Sequence, residues 1–285
     1  MINSQYKTII ITKESKLSFS NNKIIVTIDN KETEYPIYNI NMIIFEELSI
    51  SVSLFLIKEL IDNNITIIGC NEKHLPYYNI QAIYGSKNAF ENIEKQISWT
   101  KNQKNQIWKQ ILFNKINNQN DLLDNYKLYH KNISFNDFSN LDLFEARNAR
   151  VYFQTLFGEN FSREDDSIIN KALNYGYAIL VSQISKTIIS HGYSTLIGIH
   201  HIGKNNINNL SYDVIEPFRP LVDQIVYDNM SSLEDNYKIL MISVLNKTIK
   251  IGNKKHSVIN AIDEFLLSIF KKISKQGNIL EVILC

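Results

Sequence analysis

Cysteine is nearly absent from this chain, with two in 285 residues, Cys70 and Cys285. Neither has a partner at metal-ligand spacing. That excludes a disulfide framework and a thiolate zinc site, and it fits a reducing, cytoplasmic compartment. Proline and glycine are scarce too, four and nine, which leaves little material for linkers. No apolar run approaches the roughly 18 residues a membrane-spanning helix needs. Ile9-Ile10-Ile11, bounded by Lys7 and Lys13, is too short for a secretory signal core. A soluble protein with no membrane role is expected. Charge of one sign is also missing: the formal net charge is +1, so any nucleic-acid contact must come from local patches. What is present is 44% hydrophobic and 21% charged residues, the composition of a core-forming globular protein. The length suits one large domain or two moderate ones.

The first 80 residues read as a β-rich domain. Tyr6–Thr12, Leu17–Ser20, Lys23–Asp29, Glu32–Ile37 and Ile40–Glu46 are short β-branched and aromatic runs parted by polar pairs. Asn21-Asn22 and Asp29-Asn30-Lys31 sit where hairpin turns need positive φ. Ser51–Asp62 has helical spacing, and Ile65–Cys70 reads as a buried strand. A sandwich-like scaffold that packs or dimerises is the expectation. His74 and Tyr77-Tyr78 receive no role.

From Ser86 on, the apolar period changes from about 2 to about 3.6, so residues 86–285 are expected to be helical, with the boundary at Ile80–Gly85. Ala89, Ile93 and Ile97 form one stripe; Ile107 or Trp108, Ile111, Leu112 and Ile116 form another. Between Lys95 and Asn120 lie Lys95, Lys101, Lys104, Lys109 and Lys115 with no acid among them. Trp99 and Trp108 are interleaved, so this run reads either as a solvated face or as a phosphate-backbone track. Further basic clusters are Lys247, Lys250, Lys254 and Lys255, then Lys271, Lys272 and Lys275. Helices are predicted at Leu141–Phe157, from Arg163 to Gly192, at Leu221–Met230 and Glu234–Leu245, and at Ser257–Lys275, with a strand and turn at Thr248–Asn253. Gly176 in mid-helix predicts close packing against a neighbouring backbone.

The densest chemistry lies at 198–220, GIHHIGKNNINNLSYDVIEPFRP. His200 and His201 precede a polar loop, and Asp213 and Glu216 follow at i,i+3. Imidazole and carboxylate joined across a turn suit a divalent metal or an acid/base pair. Pro217 disfavours the helical conformation at Glu216, so a helix starts or kinks there.

Four stretches in order carry a resemblance: E-A-R-N-A-R-V-Y-F at 145–153, N-x-x-L-N-Y-G-Y-A-I-L at 170–180, G-x-H-H at 198–201 and N-L-x-x-D-x-x-E-P-F-R-P at 209–220. The chain resembles the CRISPR adaptation integrase, the larger of the two subunits that insert spacers, over essentially its whole length. The resemblance implies an α+β protein: a small N-terminal β-sandwich-like domain, residues 1–80, used for dimerisation, and a larger all-α catalytic domain, residues 86–285. It implies a metal site for Mg²⁺ or Mn²⁺ built from Glu145, His201 and Glu216, with Asp213 touching the metal or orienting a ligand, and His200 packing beside it or meeting DNA. Arg147, Arg150, Lys204 and Arg219 are the phosphate-contact candidates, with Lys101, Lys104 and Lys109 as a further DNA track; for Arg219 an ion pair with an acid is an equal alternative. The implied activity is metal-dependent integration and endonucleolysis, joining 3′-hydroxyl ends of captured DNA to a CRISPR repeat. The implied partners are double-stranded DNA (prespacer and repeat), a second copy of the chain, a small ferredoxin-like adaptation subunit and other type II CRISPR proteins. Asn148, where the family has a small residue, and the long loop from Ile202 to Asn209 depart from the pattern. The loop and the short chain point to the type II variety. A stand-alone metal nuclease and a non-catalytic DNA-binding scaffold are the competing readings.

Overall fold

The computed structural model describes residues 7–80, 88–130, 141–274 and 277–284. The chain divides into two compact units, Met1–Gly85 and Ser86–Cys285. Residues 81–85 of the expected boundary, and Tyr6, Ser86, Lys275 and Cys285, lie outside the described residues.

The first unit holds β1 (Lys7–Ile11), β2 (Ser15–Ser20), β3 (Lys23–Ile28), β4 (Lys31–Pro36), β5 (Ile40–Phe45), β6 (Ile50–Val52), α1 (Leu54–Asp62), β7 (Thr66–Cys70) and β8 (Pro76–Ile80). They form two four-stranded sheets, β1-β5-β7-β8 and β4-β3-β2-β6. Strand β5 is parallel to both β1 and β7. Every residue of β5 and β7 is buried, as suits strands inside a parallel array. Asn21, Asn22, Asp29 and Asn30 all have positive φ, between 48° and 60°. Short polar side chains tolerate this, and two-residue turns of that kind match the strand twist on either side. The predicted helix at Ser51–Asp62 is shorter than expected. Ile50–Val52 pairs with β2 instead, and the Ser53 hydroxyl caps α1 by accepting from Leu56 N–H at 3.1 Å.

The second unit holds α2 (Ala89–Ile97), α3 (Lys101–Asn125), α4 (Leu141–Phe157), α5 (Ile168–Ser190), α6 (Asn209–Val214), α7 (Arg219–Asp228), α8 (Leu233–Ile242) and α9 (Val258–Ile273). Strands β9 (Thr248–Ile251), β10 (Lys254–Ser257) and β11 (Val282–Ile283) add an antiparallel sheet, β10-β9-β11. Helix α5 is the axis of the core, with Leu173, Tyr175, Ile179, Leu180, Ile184 and Ile188 buried.

Three local expectations are corrected. Helix α5 begins at Ile168, not at Arg163. The Asn170 amide donates to Ser162 O and Asp165 O, both at 2.8 Å, while Ser167 caps the helix, so side-chain hydrogen bonds hold 162–165 as a turn. Gly176 packs against side chains, not backbone: a Cβ there would stand 2.6 Å from Val222 Cγ1 and 2.9 Å from Met241 Sδ. On α2, Ile97 is 69% exposed and the inward position is Gln96. Its amide donates to Ser194 O and Ile197 O at 2.8 and 2.7 Å, and its oxygen accepts from Ser194 N–H.

Candidate active site

Helices α6 and α7 are separated by the 3-10 turn Glu216–Phe218. Pro217 cannot donate a backbone hydrogen bond, and the N–H groups of Phe218 and Arg219 both converge on Ile215 O, at 2.8 and 3.1 Å. The turn carries Glu216, 3% exposed. One carboxylate oxygen, Oε1, accepts from Arg219 Nε at 2.7 Å. The other, Oε2, is buried and accepts no hydrogen bond of ordinary geometry, although Lys115 Nζ stands 2.5 Å away as an ion pair. Lys115 Nζ also lies 2.6 Å from Oε1 of Glu145, which α4 supplies. Two acids from separate elements thus share one cation. Burial pushes the Glu216 carboxyl up, but Arg219 and Lys115 together outweigh it and hold it down at about 2. Burial likewise works against the Lys115 ammonium, and the two glutamates more than restore it.

Helix α3 fixes the spacing of the acids. Asn118 Nδ2 donates to Pro217 O at 2.9 Å and Gln119 Oε1 accepts from Asn148 Nδ2 at 3.0 Å. Lys115, Asn118 and Gln119 stand at i, i+3 and i+4, one face of the helix. That explains the unusual Asn148: it ties α4 to α3 three residues beyond Glu145.

The histidine loop is organised by Asp213, fully buried on α6. Its Oδ2 accepts from the N–H groups of Ile199 at 2.5 Å and His200 at 3.1 Å, and its Oδ1 from the N–H of His201 at 3.0 Å. The same Oδ1 meets His201 Nδ1 at 2.8 Å, which leaves Nε2 as the ring nitrogen that can meet another group. The His201 pKa is raised, first by this hydrogen bond and further by the negative charges of Asp213, Glu216 and Glu145. A Cβ at Gly198 would stand 2.2 Å from His201 O and 2.9 Å from Asp213 Oδ2, which is the physical reason for the glycine in this motif. Asn209 pins the polar loop by donating to Leu196 O and Gly203 O, both at 3.0 Å. His200 packs flat on Trp108, with ring centroids 4.2 Å apart and planes at 3°.

In kind, two carboxylates and an imidazole suit a hard divalent ion such as Mg²⁺ or Mn²⁺. The Glu216 Oε2 without an ordinary hydrogen bond and the Glu145 carboxylate that shares its cation are the oxygens such an ion would use. Among the described residues no three His, Cys, Asp or Glu side chains already form a metal-holding group, because Lys115 stands between the glutamates and Asp213 occupies His201 Nδ1.

The basic candidates separate into two sets. Lys101, Lys109, Arg147, Arg150 and Lys204 are exposed. Lys104 instead donates to Gly198 O at 2.9 Å and so braces the histidine loop. Arg219 has the paired alternative: it meets Glu216, and its guanidinium lies 4.6 Å from the Tyr177 ring centroid. Trp99 and Trp108 are both buried, so the expected interleaving of aromatics and lysines on an open face is not there. Sequence reasoning misses the role of Lys115, although a signal exists: it falls four residues after Ile111 and three after Leu112, on the buried stripe. It misses Asp223 on α7 too, buried and accepting from Tyr152 OH at 2.9 Å and from Tyr177 OH. Burial pushes Asp223 up to about 6 despite those hydrogen bonds.

The family model described as CRISPR associated protein Cas1 matches residues 8–236. The CRISPR-associated endonuclease Cas1 of Neisseria meningitidis serogroup C (strain 8013) is 28% identical over 278 residues, covering 92% of this chain and 90% of the relative. A casposase solved bound to its integration product superposes with a TM-score of 0.78 at 19% identity, over 96% of this chain and 93% of that one. A Cas6-RT-Cas1–Cas2 complex gives 0.72 at 18% identity, over 99% of this chain and 37% of that one. At those identities the structural likeness establishes the fold, a β-rich unit followed by a helical one.

Proposed function

The chain belongs to the CRISPR-associated protein Cas1 family, and on that premise we propose that it is a metal-dependent DNA integrase and endonuclease. It joins 3′-hydroxyl ends of captured foreign DNA to a CRISPR repeat by transesterification. The observation that carries this reading is the convergence of Glu145 and Glu216 on one cation, Lys115. Glu145, His201 and Glu216 would hold Mg²⁺ or Mn²⁺, which when bound would supply Lewis acidity for the phosphodiester and activation of the attacking oxygen.

The protein's own groups prepare that chemistry. Arg219 keeps Glu216 ionised far below neutral pH. Asp213 anchors the loop that presents His201 and fixes the ring through Nδ1, the role of an outer partner to a ligand. Arg147, Arg150 and Lys204 are exposed on the two segments that carry Glu145 and His201, and they contact DNA phosphates. Lys101 and Lys109 extend that contact along α3. Partners are prespacer and repeat duplexes, a second copy joined through the β-rich unit, and a small Cas2-like subunit of the kind present in the complex that shares this fold. The long 202–209 loop favours the type II variety and its other CRISPR proteins. The compartment is the cytoplasm.

The test is a strand-transfer assay with a 3′-hydroxyl duplex, a repeat-bearing target and the partner subunit. A branched product that requires Mg²⁺ or Mn²⁺ and vanishes with EDTA is expected. Glu145→Ala and Glu216→Ala should each reduce it at least about a hundredfold while DNA binding persists. Transfer that survives both substitutions overturns the catalytic assignment. Cleavage without any branched product would leave a nuclease and remove the integrase.

A further inference from the structure

Among the described residues, Lys115 is the cation that stands between the two acids. Its side chain is 8% exposed, with Nζ at 2.6 Å from Glu145 Oε1 and 2.5 Å from Glu216 Oε2. Arg219 closes the other side of Glu216 at 2.7 Å. Two positive and two negative charges therefore cancel inside the protein before any ion arrives. The backbone behind Lys115 is fixed, because Asn118 holds the carbonyl next to Glu216 and Gln119 holds Asn148. The lysine side chain itself is a flexible stem carrying a compact charge.

We propose that Lys115 is a tethered internal cation that holds the metal-free site in order and competes with the divalent ion for Glu145 and Glu216. This rests on the metal-centre reading above. Without a divalent ion, the half-buried Glu145 and the buried Glu216 would repel one another and Glu216 would lose its solvation; the ammonium offsets both. Once a divalent ion approaches, the same ammonium is a repelling charge a few ångströms from it and sits on the oxygens the ion needs. Loading therefore requires the lysine to swing off the carboxylates, which makes Lys115 a positioning residue that sets metal affinity and keeps the empty site assembled. The lysine is connected to Glu145 and Glu216 directly, so no other element has to move.

Removal of a merely structural lysine would loosen the site and weaken metal binding. Removal of a competitor tightens it. Mn²⁺ titration followed by electron paramagnetic resonance of the free ion separates these outcomes on the full chain. Wild type should bind one Mn²⁺ at this centre, and Glu216→Gln should abolish that binding. Lys115→Met should bind Mn²⁺ at least about tenfold more tightly while its metal-free unfolding midpoint falls. Lys115→Arg, which keeps the charge, should gain no affinity. Amine footprinting of wild type gives a second readout that needs no variant: acetylation of Lys115 should rise when Mn²⁺ is added. If Glu216→Gln leaves Mn²⁺ binding intact, the metal-centre reading fails and this inference goes with it. If Glu216→Gln abolishes binding but Lys115→Met binds no more tightly than wild type, or Lys115 labelling ignores Mn²⁺, the competition is overturned and the metal centre stands.

Discussion

Asp213 shows how much one buried carboxylate can organise. It is the acceptor for three consecutive backbone N–H groups and for the His201 ring. Its removal orphans all four at once. Asp213→Ala should therefore cost about 2–4 kcal/mol of stability and lower strand transfer about 10–100-fold, as measured by urea unfolding and by the branched-product assay. Full activity in that variant would mean that the ring is oriented some other way. Asp223 behaves differently, because its shift has the opposite sign to that of Glu216. Its folded-state value of about 6 lies above the ordinary 3.8. Between those values the folded protein keeps a proton that the unfolded chain has released, so this group's contribution to stability falls as pH rises from about 4 to about 6. Asp223→Asn removes that titration and should flatten the stability profile over the window by about 3 kcal/mol. Unfolding free energies measured at several pH values check it, and an unchanged slope would show the carboxyl ionising normally.

Helix α3 is the element on which the site is gauged. Its buried stripe runs through Ile107, Trp108, Ile111, Leu112 and Ile116, as the 3.6-residue period predicts. Lys104 stands three residues before Ile107 and four before Trp108, and Lys115 follows Ile111 by four. Both therefore turn inward, while Lys101 and Lys109 turn out. The facing of each lysine is legible in the period; which distant group it meets is not. Neutralising Lys101 and Lys109 should lower the slope of log affinity against log salt by about 0.9 for each phosphate no longer neutralised. Lys104→Ala should leave the slope alone and loosen the histidine loop. Equal slopes for all three variants would assign the α3 face away from DNA. Gly198→Ala should destabilise by about 1–3 kcal/mol, since its Cβ meets a backbone carbonyl that cannot yield. A thermal melt of that variant indistinguishable from wild type would show that the loop relaxes.

At the scale of the molecule, the two compact units carry separate burdens. The metal candidates all lie in the helical unit. Mn²⁺ at a hundredfold over its dissociation constant should stabilise that unit by about 2.7 kcal/mol and leave the unfolding of the β-rich unit unmoved. Calorimetry of the full chain reads both, and a helical transition indifferent to Mn²⁺ would remove the metal centre. The sequence by itself determined the switch from a period of 2 to one of 3.6, the Asn-Asn and Asp-Asn turns, and the family, since all of these are local patterns or fixed spacings. It left out Lys115 between the glutamates, the burial of Trp99 and Trp108, and the cradle around Asp223. Each of those depends on which elements, far apart along the chain, close over one another. Only the tertiary structure decided them, because a charge or an aromatic ring takes its character from neighbours that periodicity does not name.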